Sequence, residues 1–210
     1  MRKMYIKPVD KLYNLDSNIT IINMESSKLF RMVSMDIYNN IILSVNDVPE
    51  DIEKKALILY NPFEININEN KFIKMLYKKL EYKIKTTYDD KIINIESKLF
   101  SLLDSLELDS LYPLDYNMNI DVQKLLSAIG ILYKNPETYI EKLIYYIRLT
   151  KDLNNISFII SFGLCNLLED IEVKILNKEL KELSISLIDI NYINKFINKS
   201  ILIDEDWCII

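Results

Sequence analysis

The sequence predicts an α/β fold. Residues 1–66 and 152–210 form a head domain around a mostly parallel sheet, and residues 67–151 form an inserted helical subdomain. Three observations predict this. Short β-rich apolar runs occur at both ends of the chain. The middle third places apolar residues at helical spacing. Near the C-terminus, two strand-like runs are separated by one amphipathic stretch, the spacing of a βαβ crossover, which pairs its strands in parallel.

Taken in order, "NITIINM" (18–24) reads as a first strand, and "ESSKLFRMVSMDIY" (25–38) as a helix with Leu29, Met32, Val33 and Ile37 on one face. "IILSV" (41–45) and "ALILY" (56–60) are further strands, and Asn61-Pro62 is a turn. In "NENKFIKMLYKKLEYKIK" (68–85) a stripe of Phe72, Leu76, Leu80 and Ile84 recurs every four residues and predicts a buried helix face. A second helix is expected over Lys91–Leu108, and a shorter one over 120–130, stopped by Gly130. Asn135-Pro136 has the look of an N-cap and first helical position, opening a helix that turns Ile140, Leu143, Ile144 and Ile147 inward. "ISFIISF" (156–162) suits a strand buried on both faces. The helix 169–183 carries Ile171, Ile175 and Leu180 close to one face, and "SISLIDI" (184–190) is the next strand. The ending "ILIDEDWCII" reads as one strand or a strand pair, with Asp204, Glu205 and Asp206 at a bulge or turn.

Composition excludes several chemistries. The chain has 2 glycines and no histidine. A phosphate loop needs glycine-freed backbone amides, and histidine is the usual partner of a nucleophilic serine or cysteine and a common zinc ligand. Cys165 and Cys208 stand apart in apolar surroundings, as buried reduced thiols do. No secretory leader or membrane-length apolar run is visible, so a cytoplasmic location is expected. Net charge is −5, but it is segregated. Lysines dominate from Lys71 to Lys98, whereas Leu99–Gln123 holds acids and no basic residue.

Seven stretches in sequence, "TIINMESSKLFRMV", "NPFEININENKFIKMLYKKLE", "LDYNMNIDVQKLLSAIG", "EKLIYYIRLTKDL", "ISFIISFGLCNLLEDIEV", "LSISLIDI" and "ILIDEDWCII", together resemble the type II-A CRISPR-associated adaptation protein, the ring-forming family called Csn-two. The resemblance implies a non-enzymatic homotetramer that accepts the ends of double-stranded DNA through its hole during spacer acquisition. It implies partners in the CRISPR integrase and the effector nuclease, and no membrane. It further implies structural calcium and a head like a degenerate P-loop ATPase without a nucleotide. The turn Glu25-Ser26-Ser27-Lys28, which follows the first strand, fits a helix N-terminus rather than a phosphate cradle.

For calcium, the acidic stretch points to Asp109, Asp115 and Asp121, although Asn117 and Asn119 stand where relatives carry carboxylates. For DNA, phosphate contacts are expected from Lys71, Lys74, Lys78 and Lys85, and from Lys142, Arg148 and Lys151. A lysine stripe equally suits a solvated helix face. The alternative function is an oligomeric adaptor for the integrase and effector nuclease that does not itself bind DNA. A metal-dependent nuclease would need paired carboxylates with a lysine on a strand, and no such motif is present in the sequence.

Overall fold

The computed structural model describes residues 1–108, 120–192 and 201–203. The chain divides into two compact units, Met1–Ile67 with Asn135–Ile210, and Asn68–Lys134.

The first unit holds two sheets. β1 (Arg2–Ile6), β2 (Lys11–Asn14), β4 (Ile41–Val45) and β5 (Val48–Glu50) form an antiparallel sheet in the order β2-β1-β4-β5. β4 and β5 are joined by Asn46-Asp47, both with positive φ (52° and 65°), which is the two-residue hairpin geometry that asparagine and aspartate tolerate. Between these strands in sequence run β3 (Ile19–Met24), α1 (Ser27–Met35) and α2 (Ile37–Asn40). The helix expected over 25–38 is broken at Asp36, whose side chain caps α2 by accepting from the Asn39 amide. Leu29, Val33 and Ile37 are buried as expected, but Met32 is not.

The second sheet is parallel throughout, in the order β6-β7-β8-β3-β9. β6 (Ala56–Leu59) follows α3 (Ile52–Lys55) and is itself followed by the Asn61-Pro62 turn, where the Asn61 side chain accepts from the Phe63 amide. β7 (Phe158–Phe162), α8 (Asp170–Glu182) and β8 (Ser186–Tyr192) form the expected crossover. The buried face of α8 is Leu176, Glu179 and Leu180; Ile171 and Ile175, expected inside, face solvent. β9 (Ile201–Ile203) pairs with β3, and residues 204–210 lie outside the described residues.

One face of the parallel sheet supplies Ile22, Met24, Phe158, Ile160, Ile188, Ile190 and Ile203 to a core shared with Leu29, Val33 and Ile37 and with Met4, Ile6 and Leu43 of the antiparallel sheet. Each such side chain removed from water contributes about 1.5–3 kcal/mol. Alternate residues, Ile159, Ser161, Leu187 and Asp189, are also buried, so β7 and β8 are covered on both faces. α7 (Tyr139–Asn154) starts three residues later than Pro136 suggested: Thr138 is its N-cap, in a capping box with Glu141. Ile140, Leu143, Ile144 and Ile147 are buried as expected. α7 groups with the sheet unit, so the expected boundary at residue 151 lies at Asn135 instead.

The second unit contains α4 (Asn70–Thr87), α5 (Asp89–Leu108) and α6 (Val122–Ile129). Phe72 is fully buried, while Leu76, Leu80 and Ile84 of the same stripe are half-buried. Gly130 ends α6 in the left-handed conformation (φ 73°), its amide closing on the last turn. No helix among the described residues is long and apolar enough to cross a membrane.

Candidate functional site

α4 is the most strongly charged element. It carries six lysines and one acid, Glu81, within an acidic chain. Lysine and leucine favour a helix, and no glycine or proline interrupts the segment. Two ties hold α4 in place within its unit. Tyr77 donates its hydroxyl to the Ile131 carbonyl at 3.2 Å. Asn68, just before the helix, donates to the Tyr133 carbonyl and accepts from the Tyr133 amide, at 3.1 and 2.9 Å.

These ties leave an open groove of about 820 Å³ lined by Lys74, Tyr77, Glu81 and Lys85 of α4 with Asp121, Gln123 and Lys124 beside α6. Inside it the charges are partly neutralised. Glu81 accepts from Lys85 at 2.8 Å and also from Gln123. The Lys85 hydrogen bond, then that of Gln123, holds the Glu81 carboxyl below its usual range, and Glu81 raises Lys85 in turn. Lys74 has no ion-pair partner among the described residues.

The predicted DNA contacts therefore separate. Lys74 and Lys78 are exposed and carry no ion pair among the described residues. Lys71 pairs with Glu69 at 2.7 Å and lies over the Phe72 ring, and Lys85 is engaged by Glu81. In the other unit, Lys142 is half-buried on α7. Arg148 is bound in a fork by Glu179, at 2.6 Å from Nε and 2.7 Å from its second nitrogen. Lys151 donates to the Ile156 carbonyl at 2.7 Å, and burial, followed by the charges of Arg2 and Lys55, pulls its ammonium below the usual lysine range.

Of the three predicted calcium ligands, Asp109 and Asp115 lie outside the described residues. Asp121 is the N-cap of α6: one oxygen accepts from the Lys124 amide at 3.0 Å and the other faces the Lys124 ammonium at 3.7 Å. Among the described residues no three carboxylate, thiol or imidazole groups converge, and Asp121 is spent on its own helix. The described side chains by themselves do not furnish the six to eight oxygens calcium takes. Glu25–Lys28 behaves as a helix start, with Ser26 capping α1 by accepting from the Leu29 amide.

Sequence reasoning missed a buried polar hub at the carboxyl ends of β7 and β8. Asp189 is fully buried and accepts from Ser161 Oγ (2.7 Å), the amides of Leu164 and Cys165 (2.9 Å each) and Asn191 (3.4 Å). Asn191 in turn accepts from Asn166 at 3.0 Å. Gly163 makes the turn with φ 72°, leaving the Asn191 side chain 3.6 Å from where a Cβ would sit. Cys165 is half-buried rather than buried, and burial with Asp189 nearby pushes its thiol up, away from thiolate chemistry. The available signal was a serine, an aspartate and an asparagine inside strongly apolar strands. Comparison with protein-family models and with curated proteins finds no match to this chain.

Proposed function

We propose that this protein is a non-enzymatic member of the Csn-two family, a cytoplasmic homotetrameric ring that threads the ends of double-stranded DNA during CRISPR spacer acquisition. The observation that carries the reading is α4, an 18-residue helix with six lysines against one acid in a chain whose net charge is −5. Local cationic charge on an acidic protein confines DNA to one surface, and contacts through lysine read phosphates rather than sequence. In this reading the sheet unit corresponds to the P-loop-like head without a nucleotide, and the ring works beside the integrase and effector nuclease. Calcium would have to draw on Asp109 and Asp115, since Asp121 caps α6 and pairs with Lys124.

Self-assembly is supported by α5. None of its side chains from Asp89 to Leu106 is buried. Ile95, Leu99, Leu102 and Leu106, spaced four, three and four residues apart, are 41% to 56% exposed. An apolar seam with that spacing is the kind that packs against another helix. Replacing Leu99 and Leu102 together with lysine is expected to lower the mass in solution, by light scattering, while leaving the helical signal intact; an unchanged mass removes this face from the assembly.

The threading reading is tested by anisotropy titrations of linear duplex and covalently closed circles across a salt series. Linear DNA is expected to bind and to be released by salt, and circles to bind poorly. Equal binding of the two forms would falsify threading. The adaptor alternative is favoured by one observation, the engagement of Lys71, Lys85 and Arg148 by acids. It predicts no duplex binding at any salt, with retained co-purification of the integrase.

A further inference from the structure

Three cationic residues lie along the amino edge of the parallel sheet. β6, β7 and β8 begin there at Ala56, Phe158 and Ser186, which are register partners. Arg2 donates to Ser186 Oγ at 3.0 Å and to the Ser184 carbonyl, with its guanidinium 5.9 Å from the Phe158 ring centre. Lys55 immediately precedes β6, and its carbonyl accepts from the Ser157 amide at 2.8 Å. Lys151 reaches the same edge through the Ile156 carbonyl. All three are half-buried, and none has an acidic partner among the described residues. Their mutual repulsion shows in the Lys151 ammonium, which Arg2 and Lys55 both depress after burial.

Like charges gathered in a partly desolvated site disfavour one another unless an anion compensates. Donors remain for one: among the described residues Lys151 has spent one of its three N–H groups, Lys55 none, and Arg2 two of its five. Of the three, Lys55 alone borders the adjacent cavity of about 380 Å³, whose other walls are Glu53, Lys54 and Asn154, and Lys54 is neutralised by Asp51 at 3.0 Å.

We propose that Arg2, Lys55 and Lys151 form a binding site for a phosphate-class oxyanion, either free or carried on a DNA backbone. The DNA arm of its test rests on the function proposed above; the inorganic-phosphate arm does not.

The experiment compares thermal unfolding of the full chain in inorganic phosphate and in chloride at matched ionic strength. Saturating phosphate is expected to raise the midpoint by roughly 3–5 °C over chloride. The gain should vanish in Lys55→Gln and Lys151→Gln and persist in Lys55→Arg. In chloride, Lys55→Gln should be no less stable than the parent, because it removes repulsion. The site is overturned if phosphate and chloride act alike on the parent, or if the gain survives both glutamine variants. With the phosphate gain established, weaker duplex binding by the same variants identifies the DNA backbone as the source. Unchanged duplex binding identifies free phosphate, and leaves the threading reading to its own test.

Discussion

Asp189→Ala is expected to lower the stability of the sheet unit by about 3–5 kcal/mol. The carboxylate accepts four hydrogen bonds in a site with no solvent exposure. Alanine would strand the amides of Leu164 and Cys165 and the Ser161 hydroxyl, and a buried donor without a partner costs about 1–3 kcal/mol. For a chain of this length that corresponds to a fall in Tm of about 10 °C. Asp189→Asn keeps the shape and one acceptor oxygen but turns an N–H₂ group toward donors, so its loss should be intermediate. Denaturant unfolding followed by circular dichroism reads both. A loss under about 1 kcal/mol for alanine would mean that water replaces the carboxylate, and that the hub is more open than its burial states. The carboxyl ends of parallel strands are where α/β sheets usually hold ligands. Here the polar groups at that edge are consumed by one another, which makes Asp189 a fastener of the β7 turn to β8.

Long, strongly periodic elements were legible because their signals are local. The apolar stripe of α7 is regular, although Asn135-Pro136 suggests a start three residues before the one that Thr138 and Glu141 cap, and the crossover from β7 to β8 follows from two apolar runs and one helix. What failed depends on partners distant in sequence. The sequence of α7 reads as part of the helical insert because its face shows that it is buried, not against which neighbour. The two sets on α8, Ile171 with Ile175 and Leu176 with Leu180, have the same spacing, and only the tertiary contact selects the second. The antiparallel sheet was obscured because charged residues on β1 and β2 dilute their alternation, although the Asn46-Asp47 turn marked one of its hairpins. The charges divide the same way. The Glu81–Lys85 pair is an i,i+4 contact readable from sequence, whereas Glu179 lies 31 residues from Arg148 and Arg2 reaches Ser186 across 184.

Arg148 and the α4 lysines should therefore respond in opposite ways to substitution. Arg148→Ala leaves Glu179, whose residue is only 8% exposed, without its fork of two hydrogen bonds. Breaking a fully buried pair costs about 3–5 kcal/mol. The Arg148 side chain is 52% exposed, so solvent screens part of this interaction and the expected loss is nearer 2 kcal/mol, a Tm lower by about 4–8 °C. Glu179→Gln removes the charge but keeps an acceptor for the guanidinium, and should cost less. If Arg148 serves the fold alone, duplex affinity in Arg148→Ala stays within about twofold of the parent at a temperature where both are folded. The double variant Lys74→Ala with Lys78→Ala should show the reverse. Both lysines are exposed and free of ion pairs among the described residues, so Tm should hold. If each neutralises one phosphate, the slope of log affinity against log salt becomes shallower by about 1.8. A large affinity loss with unchanged Tm in Arg148→Ala, together with an unaltered salt slope in the lysine pair, would move the DNA surface off α4 and onto α7. The pairing with Glu179 would then be a resting state that DNA must displace.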